Sequence, residues 1–132
     1  MKQFIIPYIM FKDSLEAANY YKEVFDGEIV YIMKGKDTPD CPKEKLEETM
    51  HLELKINKNL IYMADGDHAH GDNMYLLLDY EDLDKMTLAY NKMKEGSKVI
   101  EEIHSTFWGA IFGVIKDKYK ITWEFHYMEP KE

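Results

Sequence analysis

Two segments of the chain, 69 positions apart, are built to the same plan, and a repeated supersecondary unit restricts the fold more than any single motif does. Asp13 to Phe25 (DSLEAANYYKEVF) opens on a helix-capping Asp-Ser pair and carries Leu15, Ala18, Tyr21, Val24 and Phe25 at helical spacing. Asp82 to Glu95 (DLDKMTLAYNKMKE) repeats this with Leu83, Met86, Tyr90 and Met93. Gly27 and Gly96 read as the two stops, and Asp13/Asp82, Tyr21/Tyr90 and Val30/Val99 coincide at the same offset.

The flanks repeat as well. A strand-like run precedes each helix, QFIIPYIMF in one half and NMYLLLDY in the other, and three more follow. These are EIVYIMK, MHLELKI and LIYMAD, then KVIEEIH, WGAIFGVIK and KITWEFHY, with turns at residues 56–59 and 117–119. The chain is therefore expected to be α+β, with β-α-β-β-β modules at 1–66 and 73–132 joined by a linker at 67–72, and with a charged loop from Lys34 to Glu48. Each helix has one apolar face and can cover only one face of its sheet. Side by side, the two modules are expected to form a curved, cup-like mixed sheet with helices outside and a concave face suited to a small-molecule ligand.

Composition narrows the partners. At 132 residues and 45% apolar content the chain can bury a core without help from metal or disulfide, and its single cysteine, Cys41, forms no internal bridge. All 17 positive residues are lysine and the net charge is −8, which argues against nucleic acid, where the arginine fork grips phosphates and guanine edges. The apolar start, MKQFIIPYIMF, is too short to span a membrane and has no signal-peptide cleavage pattern, so a cytoplasmic location is expected.

The segments PYIMFKDSLEAANYYKEVFDGEI, MHLEL, DNMYLLLDYED and TFWGAIFGVIKDKYKITW, in this order over nearly the whole chain, resemble the vicinal oxygen chelate superfamily. Within it they are similar to the PhnB-like group, which carries a demethylubiquinone methyltransferase-like label. The resemblance implies the tandem fold and a homodimer. It also implies metal-ligand positions near Ile6, Ala64, Asn73 and Glu124, of which only Glu124 is a good ligand. No cofactor or metal is therefore expected, and the bleomycin-resistance members imply a metal-free binder of a small molecule. The alternative is a metal-dependent lyase, isomerase or dioxygenase using Glu124 with His51 or His126. Methyl transfer finds no support in a glycine-rich strand-to-helix loop.

Alternation along MHLELKI puts His51, Glu53 and Lys55 on one strand face, and ITWEFHY puts Thr122, Glu124 and His126 opposite Trp123 and Phe125. The expected ligand-binding set is Tyr8, His51, Glu53, Trp108, Phe112 and Glu124, with Trp108 and Phe112 as an aromatic wall. The competing readings are that His51 and Glu53 satisfy each other or line a dimer contact, and that Trp108 and Phe112 pack in the core. On a strand, Gly109 and Gly113 share a face with Ile111, leaving room for the close approach of a backbone, ligand or partner. His68 and His70 lie in the solvated linker, and Cys41 has no base beside it.

Overall fold

The structure, a computed structural model, describes residues 2–131. Each half begins with a short strand, β1 (Tyr8–Phe11) or β5 (Tyr75–Tyr80), followed by a helix, α1 (Ser14–Phe25) or α2 (Leu83–Lys94). The Asp13 and Asp82 side chains cap these helices, accepting from the amides of Glu16 and Lys85 at 3.1 Å each. Such caps are worth about 1 kcal/mol apiece. Three strands follow each helix: β2 (Glu28–Lys34), β3 (Thr49–Ile56) and β4 (Asn59–Asp65) in one half, β6 (Lys98–Ser105), β7 (Ala110–Lys116) and β8 (Thr122–Met128) in the other. The chain divides into two compact units between Ala69 and His70.

Both sheets are open and four-stranded, ordered β1-β4-β3-β2 and β5-β8-β7-β6. In each, the outer strand before the helix pairs in parallel and the other pairs are antiparallel. The α1 helix buries Ala17, Ala18 and Tyr21 against Leu52, Leu54 and Met63, and α2 buries Met86, Tyr90 and Met93 against Ile115, Trp123 and Phe125. Each large side chain so buried contributes on the order of 1.5–3 kcal/mol. The α+β tandem plan read from the sequence is the one observed.

The details differ at several turns. Only four residues of the first expected strand pair, because Pro7 has no amide to donate. Upstream of it, the Gln3 side chain bonds Leu60 through both backbone groups, at 2.6 and 3.0 Å. The left-handed residue after α1 is Asp26 (φ 53°); a Cβ on Gly27 would meet the Lys55 carbonyl at 2.8 Å. β7 starts at Ala110 because Gly109 (φ 89°) forms the preceding turn. The small face at Gly113 is filled by its own module: a Cβ there would stand 3.0 Å from the Tyr90 ring and 3.1 Å from Ile103.

Two aspartates hold the loops. Asp65, at the end of β4, accepts from the Ser14 amide and hydroxyl at 2.8 and 2.7 Å and from the Thr49 amide at 2.9 Å. Asp117 accepts from the Tyr119 and Ile121 amides and, at 2.8 Å, from the Trp123 indole. The DK…W part of the late apolar pattern is therefore a device of the fold.

Two outcomes follow for stability. Gly113→Ala should lower it by about 1–3 kcal/mol, read from the urea midpoint, because the Tyr90 ring is wedged between Phe125 and its hydrogen bond to Glu102. Burial pushes the Tyr80 phenol up to about 12, and burial followed by the Glu102 carboxylate does the same for Tyr90. Because the unfolded phenols ionise near 10, this stabilisation is complete below that pH and is lost as pH rises toward 12. Denaturant midpoints should fall across that window, and less steeply in Tyr90→Phe.

Candidate functional site

With one helix per sheet, alternation sends half of each strand's side chains to the face the helix does not cover. In the first module the β1–β4–β3–β2 register brings Tyr8, Tyr62, Glu53 and Tyr31 into line across that face, with His51 beside them on β3. The Tyr8 hydroxyl lies 2.9 Å from His51 Nδ1, and His51 Nε2 lies 2.9 Å from Glu53 Oε2. Three phenol rings surround the imidazole, with centroids at 4.7 Å (Tyr62), 5.5 Å (Tyr8) and 6.0 Å (Tyr31). The expected pairing of His51 with Glu53 is present. It does not exhaust the imidazole, whose other nitrogen faces Tyr8.

The second module has its own cluster. His126 on β8 lies opposite Asp79 on β5, its Nδ1 3.0 Å from Asp79 Oδ1, and the Trp108 indole donates to His126 Nε2 at 3.4 Å. Phe112 stands beside both rings, at 6.0 Å from Trp108 and 6.3 Å from His126, and His104 closes the row from β6. Trp108 and Phe112 are thus on the helix-free face, 46% exposed and half-buried respectively, and outside the core. Glu124 shares this face, paired on either side with Leu77 and Val114.

The expected set therefore separates into Tyr8, His51 and Glu53 in one module and Trp108, Phe112 and Glu124 in the other. Sequence reasoning left out Asp79, Tyr31 and Tyr62, and named His126 only as an alternative metal ligand beside Glu124. Alternation had put His126 on the right face, but Asp79 joins it only through the parallel β5–β8 register, which no local pattern reveals.

That register also revises the proposed metal positions. Met10 pairs with Ala64 just as Asp79 pairs with His126, and Tyr8 pairs with Tyr62 just as Leu77 pairs with Glu124. The first-module counterpart of Glu124 is therefore Tyr62, and that of His126 is Ala64. Ile6 and Asn73 precede the pairing stretches of β1 and β5. Among the described residues, no three His, Cys, Asp or Glu side chains gather as a metal-holding group. The Cys41 thiol donates to the neighbouring Pro42 carbonyl at 3.4 Å. No helix among the described residues is long and apolar enough to cross a membrane.

Comparison with known proteins agrees with this architecture. The sequence pattern of the family described as 3-demethylubiquinone-9 3-methyltransferase matches residues 3–126. Among solved structures, a putative 3-demethylubiquinone-9 3-methyltransferase, PhnB protein, from Bacillus cereus superposes with a TM-score of 0.79 at 23% identity, covering 95% of this chain and 99% of that one. The fosfomycin resistance protein FosX of Listeria monocytogenes gives 0.70 at 12% identity, covering 98% and 95%. A glyoxalase/bleomycin resistance protein/dioxygenase family enzyme from Burkholderia phytofirmans PsJN gives 0.66 at 13%, covering 92% and 95%. The fold is that of the vicinal oxygen chelate superfamily. No curated protein sequence matches the chain.

The second cluster makes a testable demand. An indole N–H only donates and an ionised carboxylate only accepts, so His126 must be neutral, with its proton on Nδ1, to hold both. His126→Ala should release the indole, and the Trp108 indole N–H resonance should move while that of Trp123, held by Asp117, stays fixed.

Proposed function

The chain belongs to the 3-demethylubiquinone-9 3-methyltransferase family, and from that premise we propose that it binds a small organic molecule on the helix-free faces of its sheets without a complete metal site. The observation that carries this reading is that both faces gather aromatic rings around a hydrogen-bonded histidine and leave them open to solvent. Tyr8 and Tyr31 are 47% and 49% exposed, values a core aromatic does not show. A planar, neutral or cationic compound suits them: the rings present their negative faces, the nearby carboxylates are acceptors, and the net charge is −8.

Binding fits the residues better than the alternatives. Structural or catalytic zinc takes three or four protein ligands, whereas His51 with Glu53, and His126 with Asp79, each offer two that already serve other partners. Methyl transfer, which the family name mentions, would need a cofactor pocket. Here both helix N-termini are closed by the chain's own Asp13 and Asp82 carboxylates, and neither strand-to-helix junction contains glycine. The FosX relative acts in fosfomycin resistance, but a phosphonate would meet no arginine on this chain. Phe4, Ile5 and Phe107, among the most exposed apolar side chains, are consistent with a second copy completing the assembly, and we include a homodimer in the proposal.

A thermal-shift screen with planar aromatic and cationic compounds, bleomycin among them, tests this reading. At least one class should raise the melting temperature, and Trp108→Ala should weaken that ligand about tenfold with little change in the melting temperature of the free protein. No stabilisation by any compound would remove the support for binding.

A further inference from the structure

We infer that Tyr8, His51 and Glu53 form a proton relay, with the Tyr8 hydroxyl as the group that exchanges a proton with the ligand. The inference rests on the binding reading above and adds an activity to it. The direction of the chain follows from its ends. An ionised Glu53 can only accept, so His51 Nε2 must donate to it at 2.9 Å. In the neutral imidazole Nδ1 is then an acceptor, and the Tyr8 hydroxyl 2.9 Å away donates to it. Tyr8 Oη keeps its lone pairs while donating, and the residue is 47% exposed.

The surroundings suit the charge that a transfer would create. As Tyr8 Oη takes a proton from the ligand, its own proton passes to His51 Nδ1. The resulting imidazolium keeps its Nε2 proton on the Glu53 carboxylate and is flanked by the rings of Tyr62, Tyr8 and Tyr31. The step is balanced: one C–H bond breaks, its electron pair stays on the ligand as an enolate, and reversal at another atom of the ligand returns the proton. No oxidant or other reactant is needed. His126 cannot do the same, because its second nitrogen faces an indole that can neither accept a proton nor pass one on.

The substrate class follows from what the site lacks. Among the described residues no lysine ammonium bonds Tyr8, His51 or Glu53, so a ligand that spreads the enolate charge by itself suits the relay best. A 1,3-dicarbonyl compound carrying an aromatic ring does so and stacks on tyrosine. Tyr8 is then the catalytic residue, while His51 and Glu53 act through it.

The test uses the full chain with benzoylacetone, whose keto–enol interconversion is followed by ultraviolet absorbance, and equilibrium dialysis for binding. Interconversion should be accelerated in proportion to wild-type protein, at least tenfold less so by Tyr8→Phe, and severalfold less by Glu53→Gln, with all three proteins folded by circular dichroism. Benzoylacetone that binds but interconverts equally fast with wild type and Tyr8→Phe overturns the relay and leaves the binding reading standing. Failure of benzoylacetone to bind overturns the substrate class. Independently of any ligand, nitrogen-15 spectra of neutral His51 should show the proton on Nε2; a proton on Nδ1 contradicts the relay outright.

Discussion

One helix cannot cover both faces of a four-stranded sheet, and the organisation of each module depends on that restriction. The face under the helix is dry and tightly fitted: Tyr21, Leu52, Leu54 and Met63 in the first module, and Met86, Met93, Ile115, Trp123 and Phe125 in the second, are almost wholly buried. The other face must be satisfied by something else. Here it is satisfied only partly, by side chains that bond to one another while leaving rings and lone pairs unused. A chain selected only for stability would place there the short polar and charged groups of an ordinary solvated sheet face. Tyrosine, tryptophan, phenylalanine and histidine in those positions carry the functional reading.

The two faces are related by the repeat yet differ chemically. His51 on β3 occupies the register position that Phe112 holds on β7, since each precedes a residue paired to the middle of the last strand, Leu52 to Met63 and Gly113 to Phe125. Ala64 stands where His126 does. The hydrogen-bonded histidine of the open face thus lies on β3 in the first module and on β8 in the second, where His104 of β6 stands in the same row. In one the histidine is tied to a hydroxyl that can both give and take a proton; in the other it is tied to an indole that can only donate. Divergence at equivalent positions gives one module a route for a proton and the other a fixed aromatic wall.

Much of the fold was legible because it is local. The 3.6-residue spacing of Leu15, Ala18 and Tyr21, and the capping aspartates, mark the helices without reference to anything distant. The period-two pattern of MHLELKI correctly separated His51 and Glu53 from Leu52 and Leu54. What remained hidden depends on partners far along the chain. The 69-residue offset holds through the helices but not beyond β2, because the loop from Gly35 to Glu48 in the first module answers to a tight turn at 106–109 in the second. The offset therefore cannot align the last strands, where the strand register sets Tyr62 opposite Tyr8 as it sets Glu124 opposite Leu77. The partner of His126, Asp79 at 47 positions' separation, is fixed by parallel pairing of β5 with β8, that of His51, Tyr8 at 43, by the order β1-β4-β3, and the role of Gly113 by a ring on the helix. Trp108 was placed on a strand because nothing in WGAIFG except the backbone angle of Gly109 announces the turn.

In the function proposed for this chain, the helix-free faces, and not the helix-covered ones, receive the ligand. Ring resonances mapped during titration with a stabilising compound test it most directly. The account predicts that signals from Tyr8, Tyr31, Tyr62, Trp108 and Phe112 shift with a common dissociation constant while those of the buried Tyr21, Tyr90, Trp123 and Phe125 stay in place. Shifts confined to the buried rings, or to the exposed histidines of the 67–72 segment, would contradict it.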